Sequence, residues 1–249
     1  MTRHPVSETV TPDARPLGRV RARPLLVDLL VSLRPQQWTK NLVVFAGVLF
    51  GQQLFDPRAL GLAIAAFAIF CVLSGVVYLL NDVADRAADR RHPLKSRRPI
   101  ASGALPARVA LLAAAALGVA ALTAAFRLGT AFGAVSLSYV ALLGAYSGRL
   151  KHVVIIDVLT IAIGFVLRAV AGAVVVGVPI SQWLLVCTVL LALFLALSKR
   201  RHEIVLLAGD ATGHRRILGE YTPYLLDQMI GVVTASTLIA YIVYTLSPE

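Results

Sequence analysis

The sequence predicts an all-α fold, a polytopic membrane helix bundle of about seven transmembrane helices. Three observations predict it. The first is composition. Of 249 residues, 58% are hydrophobic and 15% charged, with a mean hydropathy of +0.78. A soluble domain carries about 25% charged residues, so this chain has too few charges to cover a water-facing surface. That argues against a water-soluble enzyme and rules out a disordered chain. The second is a series of apolar runs approaching the roughly 20 residues a spanning helix needs. The third is the placement of 24 Lys and Arg against 13 acidic residues, a net charge of +11.

Seven runs follow in order: Asn41–Phe55, Leu60–Leu80, Val109–Phe126, Thr130–Tyr146, Val153–Val178, Trp183–Ser198 and Tyr224–Leu246. The first is the shortest and holds Gln52 and Gln53. The fifth contains Asp157 and Arg168, and the last has Asp227 near its start. Four alternate gaps between the runs hold 21 Lys and Arg, and the other gaps hold 2. Cationic loops are retained on the cytoplasmic side. The expected topology therefore has the N-terminus in the cytoplasm and the C-terminus outside.

Residues 1–25 carry Pro5, Pro12, Pro16 and Pro24 among basic residues and read as a disordered cytoplasmic tail. That tail either rests on anionic lipid or only helps to set topology. Residues 26–249 form the transmembrane domain. The first 40 residues have no apolar core, so no cleavable signal peptide is expected. Cys71 and Cys187 lie inside apolar runs and suggest neither a disulfide framework nor a CxxC metal site. A pI near 10.4 ordinarily suggests nucleic acid, but that needs a soluble basic surface, and none is expected.

The third gap, NDVADRAADRRHPLKSRRPIASG over residues 81–103, is the most informative. It continues from an apolar run, so the helix is expected to reach about Asp89. At about 100° per residue, Asn81, Asp82, Asp85 and Asp89 then fall within an arc of about 100°. Carboxylates gathered on one face repel, and a divalent cation removes the repulsion. Mg²⁺ takes one or two carboxylates plus waters and substrate phosphate oxygens, so a Mg²⁺-diphosphate is the expected ligand. The bland alternative is a solvated helix end with pairs such as Asp82–Arg86. The position at a span's end, beside a basic loop closed by Pro93, Pro99 and Gly103, favours the metal.

Other segments add cations. Arg34 and Lys40, in LRPQQWTKN over 33–41, either hold a lipid phosphate or obey the charge rule, while Trp38 is an interface anchor. Tyr146, Lys151, His152 and Asp157 follow in YSGRLKH and the next run. Arg168 lies about three turns beyond Asp157, where a charge faces a polar cavity or pairs with a carboxylate. Lys199-Arg200-Arg201-His202-Glu203 ends the sixth run, either as a topology signal or as a phosphate site, with Glu203 pairing one of the bases.

The motif NDxxDxxxDRxHPxKxxRPIASG resembles the first aspartate-rich motif of the UbiA superfamily of intramembrane prenyltransferases. That resemblance implies a bundle of usually nine helices. It also implies Mg²⁺ holding a diphosphate substrate at the cytoplasmic end of a central cavity. Typical aromatic prenyltransferases of the superfamily carry a second cluster, DxxxD, where this chain has Asp157 but Ile161. LRPxQWxKN, YSxxLKxxxxxD and KRRHE are similar to a different branch. Its members join phosphoribosyl diphosphate to a polyprenyl (decaprenyl) phosphate for cell-wall arabinan.

The roles implied are as follows. Asn81, Asp82, Asp85 and Asp89 are the metal set. Asp85, Asp89 and Asp157 are the candidate catalytic carboxylates. Lys40, Asn41, Lys95, Arg98, Tyr146, Lys151, Arg168, Lys199 and Arg200 are the candidate substrate contacts. Two helices at the family's C-terminal end are expected to be missing, with an oligomer as one way to close the cavity. The rival readings are a prenyltransferase with an aromatic or quinone acceptor, and a non-enzymatic transporter.

Overall fold

The computed structural model describes residues 23–148, 150–180, 182–206 and 221–246. The tail expected over 1–25 falls almost wholly outside them. The described residues are helical, without strands. A short α1 (Leu25–Ser32) leads into a 3₁₀ run, Pro35–Phe45, that passes into α2 (Ala46–Phe50). Then come α3 (Pro57–Ala84), α4 (Arg86–Arg91), α5 (Pro99–Ser102), α6 (Ala107–Leu128), α7 (Thr130–Gly148), α8 (Ile156–Val176), α9 (Gln182–Leu206) and α10 (Pro223–Leu246).

Five helices, α3, α6, α7, α8 and α10, are long and apolar enough to cross a membrane. Each coincides with one of the predicted runs. The Trp183–Ser198 run lies within the 25-residue α9, which continues through the basic cluster. The first run differs most. It begins earlier, at Pro35, and its helical part ends at Phe50. Eleven residues at a 3₁₀ rise of about 2.0 Å, followed by five at about 1.5 Å, extend about 30 Å. An α-helix of the same length would extend only about 24 Å. The segment is not among the five helices long and apolar enough to cross a membrane.

α3 is the hub, packing against α6, α7, α8 and the 3₁₀ run. Its contact with α6 is built from small residues. Ala110, Ala114, Ala121 and Ala125 are buried, and their spacing of about four and seven keeps them on one face. Without a hydrophobic difference between helix and lipid, such close approach is what binds helices together. Phe70 of α3 meets Phe132 and Tyr139 of α7 with tilted rings 6.0 and 5.1 Å apart. A second cluster joins α8, α9 and α10 through Val158, Leu197, Tyr221 and Leu226.

The closest crossing is between the first segment and α8. A Cβ on Gly172 would stand 1.8 Å from the Val44 carbonyl oxygen. A Cβ on Gly47 would stand 2.5 Å from the Gly172 backbone. Only glycine fits at either point.

One expectation about the motif is corrected. The helix does not run on to Asp89. It ends at Ala84, Asp85 takes φ −89° and ψ 2°, and α4 starts afresh at Arg86. The sequence 84–91 is alanine and charge with nothing apolar to bury on the α3 axis, so the helix breaks at the end of the bundle.

Candidate active site

Among the described residues, cations from the cation-rich gaps gather at one end of the bundle. Arg34 supplies the first. It adopts a left-handed conformation, φ 54° and ψ 63°, between α1 and the 3₁₀ run. This turn carries its guanidinium over the Tyr78 ring, 4.7 Å from the centroid, and onto Asp82. Arg98, at the N-terminus of α5, donates to Asp82 at 3.0 Å and to Asp89 at 2.7 Å. Arg90 donates to the Ala101 carbonyl at 2.9 Å, which fastens α4 to α5. Gly103, at φ 90°, then turns the chain out of α5, a backbone region that L side chains avoid. Lys151, from the 3₁₀ turn Leu150–His152, reaches Asp85 at 2.6 Å.

Thus each motif carboxylate has a cationic partner: Arg98 of the motif itself for Asp82 and Asp89, and Arg34 and Lys151 from elsewhere in the chain for Asp82 and Asp85. Asp82 and Asp89 are buried and bridged through Arg98, while the Asp85 side chain is 32% exposed. Among the described residues, no three His, Cys, Asp or Glu side chains gather into a metal cluster. Asp85 pairs with Lys151, while Asp82 and Asp89 share Arg98. Mg²⁺ does not need three carboxylates. Asp85 and the half-buried Asn81, four residues apart, are hard oxygen donors that fit a magnesium ion completed by water and phosphate oxygens. Asp82 fits less well, because Arg34 and Arg98 both converge on one of its oxygens.

Arg98→Ala would leave two buried carboxylates short of a partner. Breaking a buried ion pair costs about 3–5 kcal/mol. Arg98 is 28% exposed at its side chain, which puts the expected loss near the bottom of that range. A correspondingly lower unfolding temperature of the purified variant is the measurement.

Deeper in the bundle lies Arg168. It is buried, and among the described residues the groups that hold it are neutral. Its Nε donates to Asn41 Oδ1 at 2.8 Å, and its terminal nitrogens donate to Tyr139 Oη at 2.7 Å and the Gly164 carbonyl at 3.2 Å. The faces of Tyr139 and Phe165 lie 4.8 and 5.0 Å from it. Asn41 is fixed in turn by donating to Ser74 at 3.2 Å. The carboxylate pair weighed for Arg168 is therefore not what holds it. Lys40 lies within electrostatic range of Arg168, Lys199 and Arg34, so the centre of this end is strongly positive.

Asp157 is fully buried and both its oxygens are taken. Oδ2 accepts from Arg200 Nε at 2.9 Å, and Oδ1 accepts from the Tyr221 hydroxyl at 2.7 Å. Arg200 also donates to Glu203 at 2.6 Å, the pairing foreseen for that glutamate. Asp157 and Arg200 thus close an internal network and do not face an open site. Tyr146 lies in electrostatic range of Arg200. Ile161 packs into the apolar cluster with Val158 and Leu197, so no second acidic pair forms beside Asp157.

Among the other candidates, Lys95 is half-buried in the 3₁₀ turn Lys95–Arg97, and Lys199 is exposed, 3.9 Å from Glu203. His92 uses Nδ1 to accept from the Leu94 and Lys95 amides at 3.1 and 3.3 Å. The His152 side chain and Arg149 fall outside what is described. Asp227 is held by Arg201 in a bidentate pair at 2.6 and 3.2 Å, tying α9 to α10. Tyr139, Ser74 and Tyr221 were missed or barely weighted, because nothing in their local sequence marks them. Each is recruited by a residue 29 to 64 positions away.

The chain matches the UbiA prenyltransferase family over residues 41–248. It is 36% identical over 217 residues to a decaprenyl-phosphate phosphoribosyltransferase of Corynebacterium glutamicum, covering 86% of this chain and 65% of that protein. It is 36% identical over 221 residues to the enzyme of the same name from Mycolicibacterium smegmatis, covering 87% and 68%. The chain thus spans about two thirds of the length of these relatives. Among solved structures, a UbiA homolog from Archaeoglobus fulgidus bound to GPP and Mg²⁺ superposes with a TM-score of 0.73. That match has 21% identity and covers 89% of this chain and 79% of the other. It is a likeness of fold, to a helical bundle of the kind the basic end and the small-residue crossings already describe. By residues, fold and extent of match, the chain belongs to the UbiA prenyltransferase family.

Proposed function

We propose that this chain is a Mg²⁺-dependent transferase that moves a 5-phosphoribosyl group from phosphoribosyl diphosphate to a polyprenyl phosphate. The proposed site lies at the cytoplasmic face of a bacterial inner membrane, and the product is a precursor of cell-wall arabinan. The observation that carries this reading is the charge balance of the site. Arg34, Arg98 and Lys151 already match the carboxylates of the one acidic motif, Lys40 adds a cation in electrostatic range of Arg34, Arg168 and Lys199, and Ile161 sits in an apolar cluster. A donor with a 5-phosphate as well as a diphosphate, and an acceptor that is itself a phosphate, need that excess of cations. The names of the relatives agree with it.

In this reading Asn81 and Asp85, with Asp89 behind them, hold Mg²⁺. When bound, the ion neutralises the departing diphosphate. The C1–O bond to diphosphate breaks and its electron pair leaves with the diphosphate. A lipid phosphate oxygen forms the new bond to C1 from the opposite side. That oxygen is already anionic near pH 7, so no strong general base is required. Lys151 and Arg98 are poised to exchange their carboxylates for donor phosphate oxygens, because both sit on the motif. Lys40, Lys199 and Lys95 ring the same end, and Arg168 with Asn41 forms its positive floor. Tyr146 is left for a ribose hydroxyl. Catalysis is then positioning plus charge stabilisation.

The test is a transfer assay in membranes expressing the chain. Labelled phosphoribosyl diphosphate with polyprenyl phosphate is expected to give labelled lipid, and only when Mg²⁺ is present. Labelled lipid from a prenyl diphosphate with 4-hydroxybenzoate, and none from the first pair, would replace this reading with an aromatic prenyltransferase.

A further inference from the structure

We infer that Tyr221 is a positioning residue: its hydroxyl, set between the Ile155 amide and the Asp157 carboxylate, holds the strained turn at Ile155, which follows directly on the 3₁₀ turn from which Lys151 reaches Asp85. The inference rests on the proposed reading only where activity is measured.

The turn is unusual in two ways. Ile155 sits at φ 67° and ψ −44°, and the Ile156 amide donates to the Val154 carbonyl at 2.8 Å. That is a three-residue γ-turn of the positive-φ kind, which is rare and strained. A β-branched residue at positive φ is a true outlier. Such strain persists only where surrounding structure over-determines it, and it clusters at functional sites.

Tyr221 supplies the over-determination. Its hydroxyl accepts from the Ile155 amide at 2.7 Å and donates to Asp157 at 2.7 Å. Its ring is buried among Val158, Leu197 and Leu226. Asp157 is anchored on its other oxygen by Arg200, which Glu203 fixes in turn. Burial first, and then the bond to Asp157, push the phenol up to about 12, so it remains a donor at any working pH. The strained residue lies four positions after Lys151. The Val153 amide on the Leu150 carbonyl at 3.2 Å and the Asp157 amide on the Val153 carbonyl at 3.1 Å tie the two turns to each other through Val153. Lys151 is buried, and its ammonium meets Asp85 66 residues away in sequence. Tyr221 therefore acts at the metal motif through the turn, without touching substrate.

The experiment uses the full chain purified in detergent. Tyr221→Phe keeps the buried ring and removes the hydroxyl. Lys151 protection is read by mass spectrometry after brief exposure to an amine-acylating reagent, without substrate. Labelling of Lys151 is expected to rise about tenfold in Y221F, with Lys40 and Lys199 unchanged. Phosphoribosyl transfer is expected to fall about tenfold in kcat/KM, and Y221F combined with Lys151→Ala should be no worse than Lys151→Ala alone. Adding Ile155→Gly to Y221F should restore both protection and rate, since glycine takes this φ without help.

Unchanged Lys151 labelling in Y221F overturns the inference. So does an activity loss that adds fully to that of Lys151→Ala, or a general rise at every lysine that Ile155→Gly does not reverse. If the wild-type chain transfers no phosphoribosyl group, the proposed function fails, while the labelling arms still decide the role of Tyr221.

Discussion

Asp85→Asn is expected to lower kcat/KM for phosphoribosyl transfer by about 10²–10³-fold, the loss that follows removal of one preorganised electrostatic contact. Asp85 is the most exposed motif carboxylate and the one joined to Lys151. Asparagine keeps its shape but gives up the charge that a divalent cation and the Lys151 ammonium both use. The Mg²⁺ concentration for half-maximal rate should rise together with the loss, and the unfolding temperature should fall less than in Asp82→Asn, because the Asp85 side chain is 32% exposed although its Lys151 partner is buried. Asp82→Asn is the contrast. Asp82 is buried and takes Arg34 and Arg98, so its loss should appear first as a lower unfolding temperature. Mg²⁺-dependent turnover near wild type in D85N would remove Asp85 from the site.

Gly172→Ala is expected to be the most damaging single methyl group in the chain. The added Cβ would meet the Val44 carbonyl oxygen at 1.8 Å, and backbone on the facing segment cannot rotate away as a side chain would. Overpacking a filled interior costs about 1–3 kcal/mol, occasionally more. With backbone as the obstacle, the expected loss is about 3 kcal/mol or above. The segment displaced carries Asn41, the partner of Arg168, so activity should fall with stability. Gly61→Ala is the control, because a Cβ there meets nothing within 4 Å. Replacing a helical glycine by alanine stabilises by roughly 0.5–1 kcal/mol. Thermal unfolding of both variants in detergent measures the difference. A Gly172→Ala protein as stable as wild type would mean the crossing is looser than its geometry.

The apolar runs made the spans legible, because a hydrocarbon solvent leaves a one-dimensional trace: length and absence of charge. The motif at 81–103 was legible for a related reason, since carboxylates and cations at a span's end stand out against an apolar background. What the sequence concealed was partnership. Arg34 was weighed as a topology signal or a lipid contact, yet it folds back over Tyr78 onto Asp82. Asp157 was read as an open carboxylate, yet Arg200 and Tyr221 fill both its oxygens. The arc drawn through Asn81, Asp82, Asp85 and Asp89 assumed a straight helix, and the break at Asp85 divides that face.

The sequence by itself determined the helical class, the runs that cross, the gathering of cations at alternate gaps and the acidic motif, because each is a local property of composition and spacing. Only the tertiary structure decided which cation neutralises which carboxylate, and it left Arg168 held by neutral groups alone. It also wound the first segment tightly enough to lie against α8 at Gly172. Those outcomes depend on distances between residues 9 to 127 positions apart, and such distances are set by how the helices and the segments between them pack, which no local pattern records.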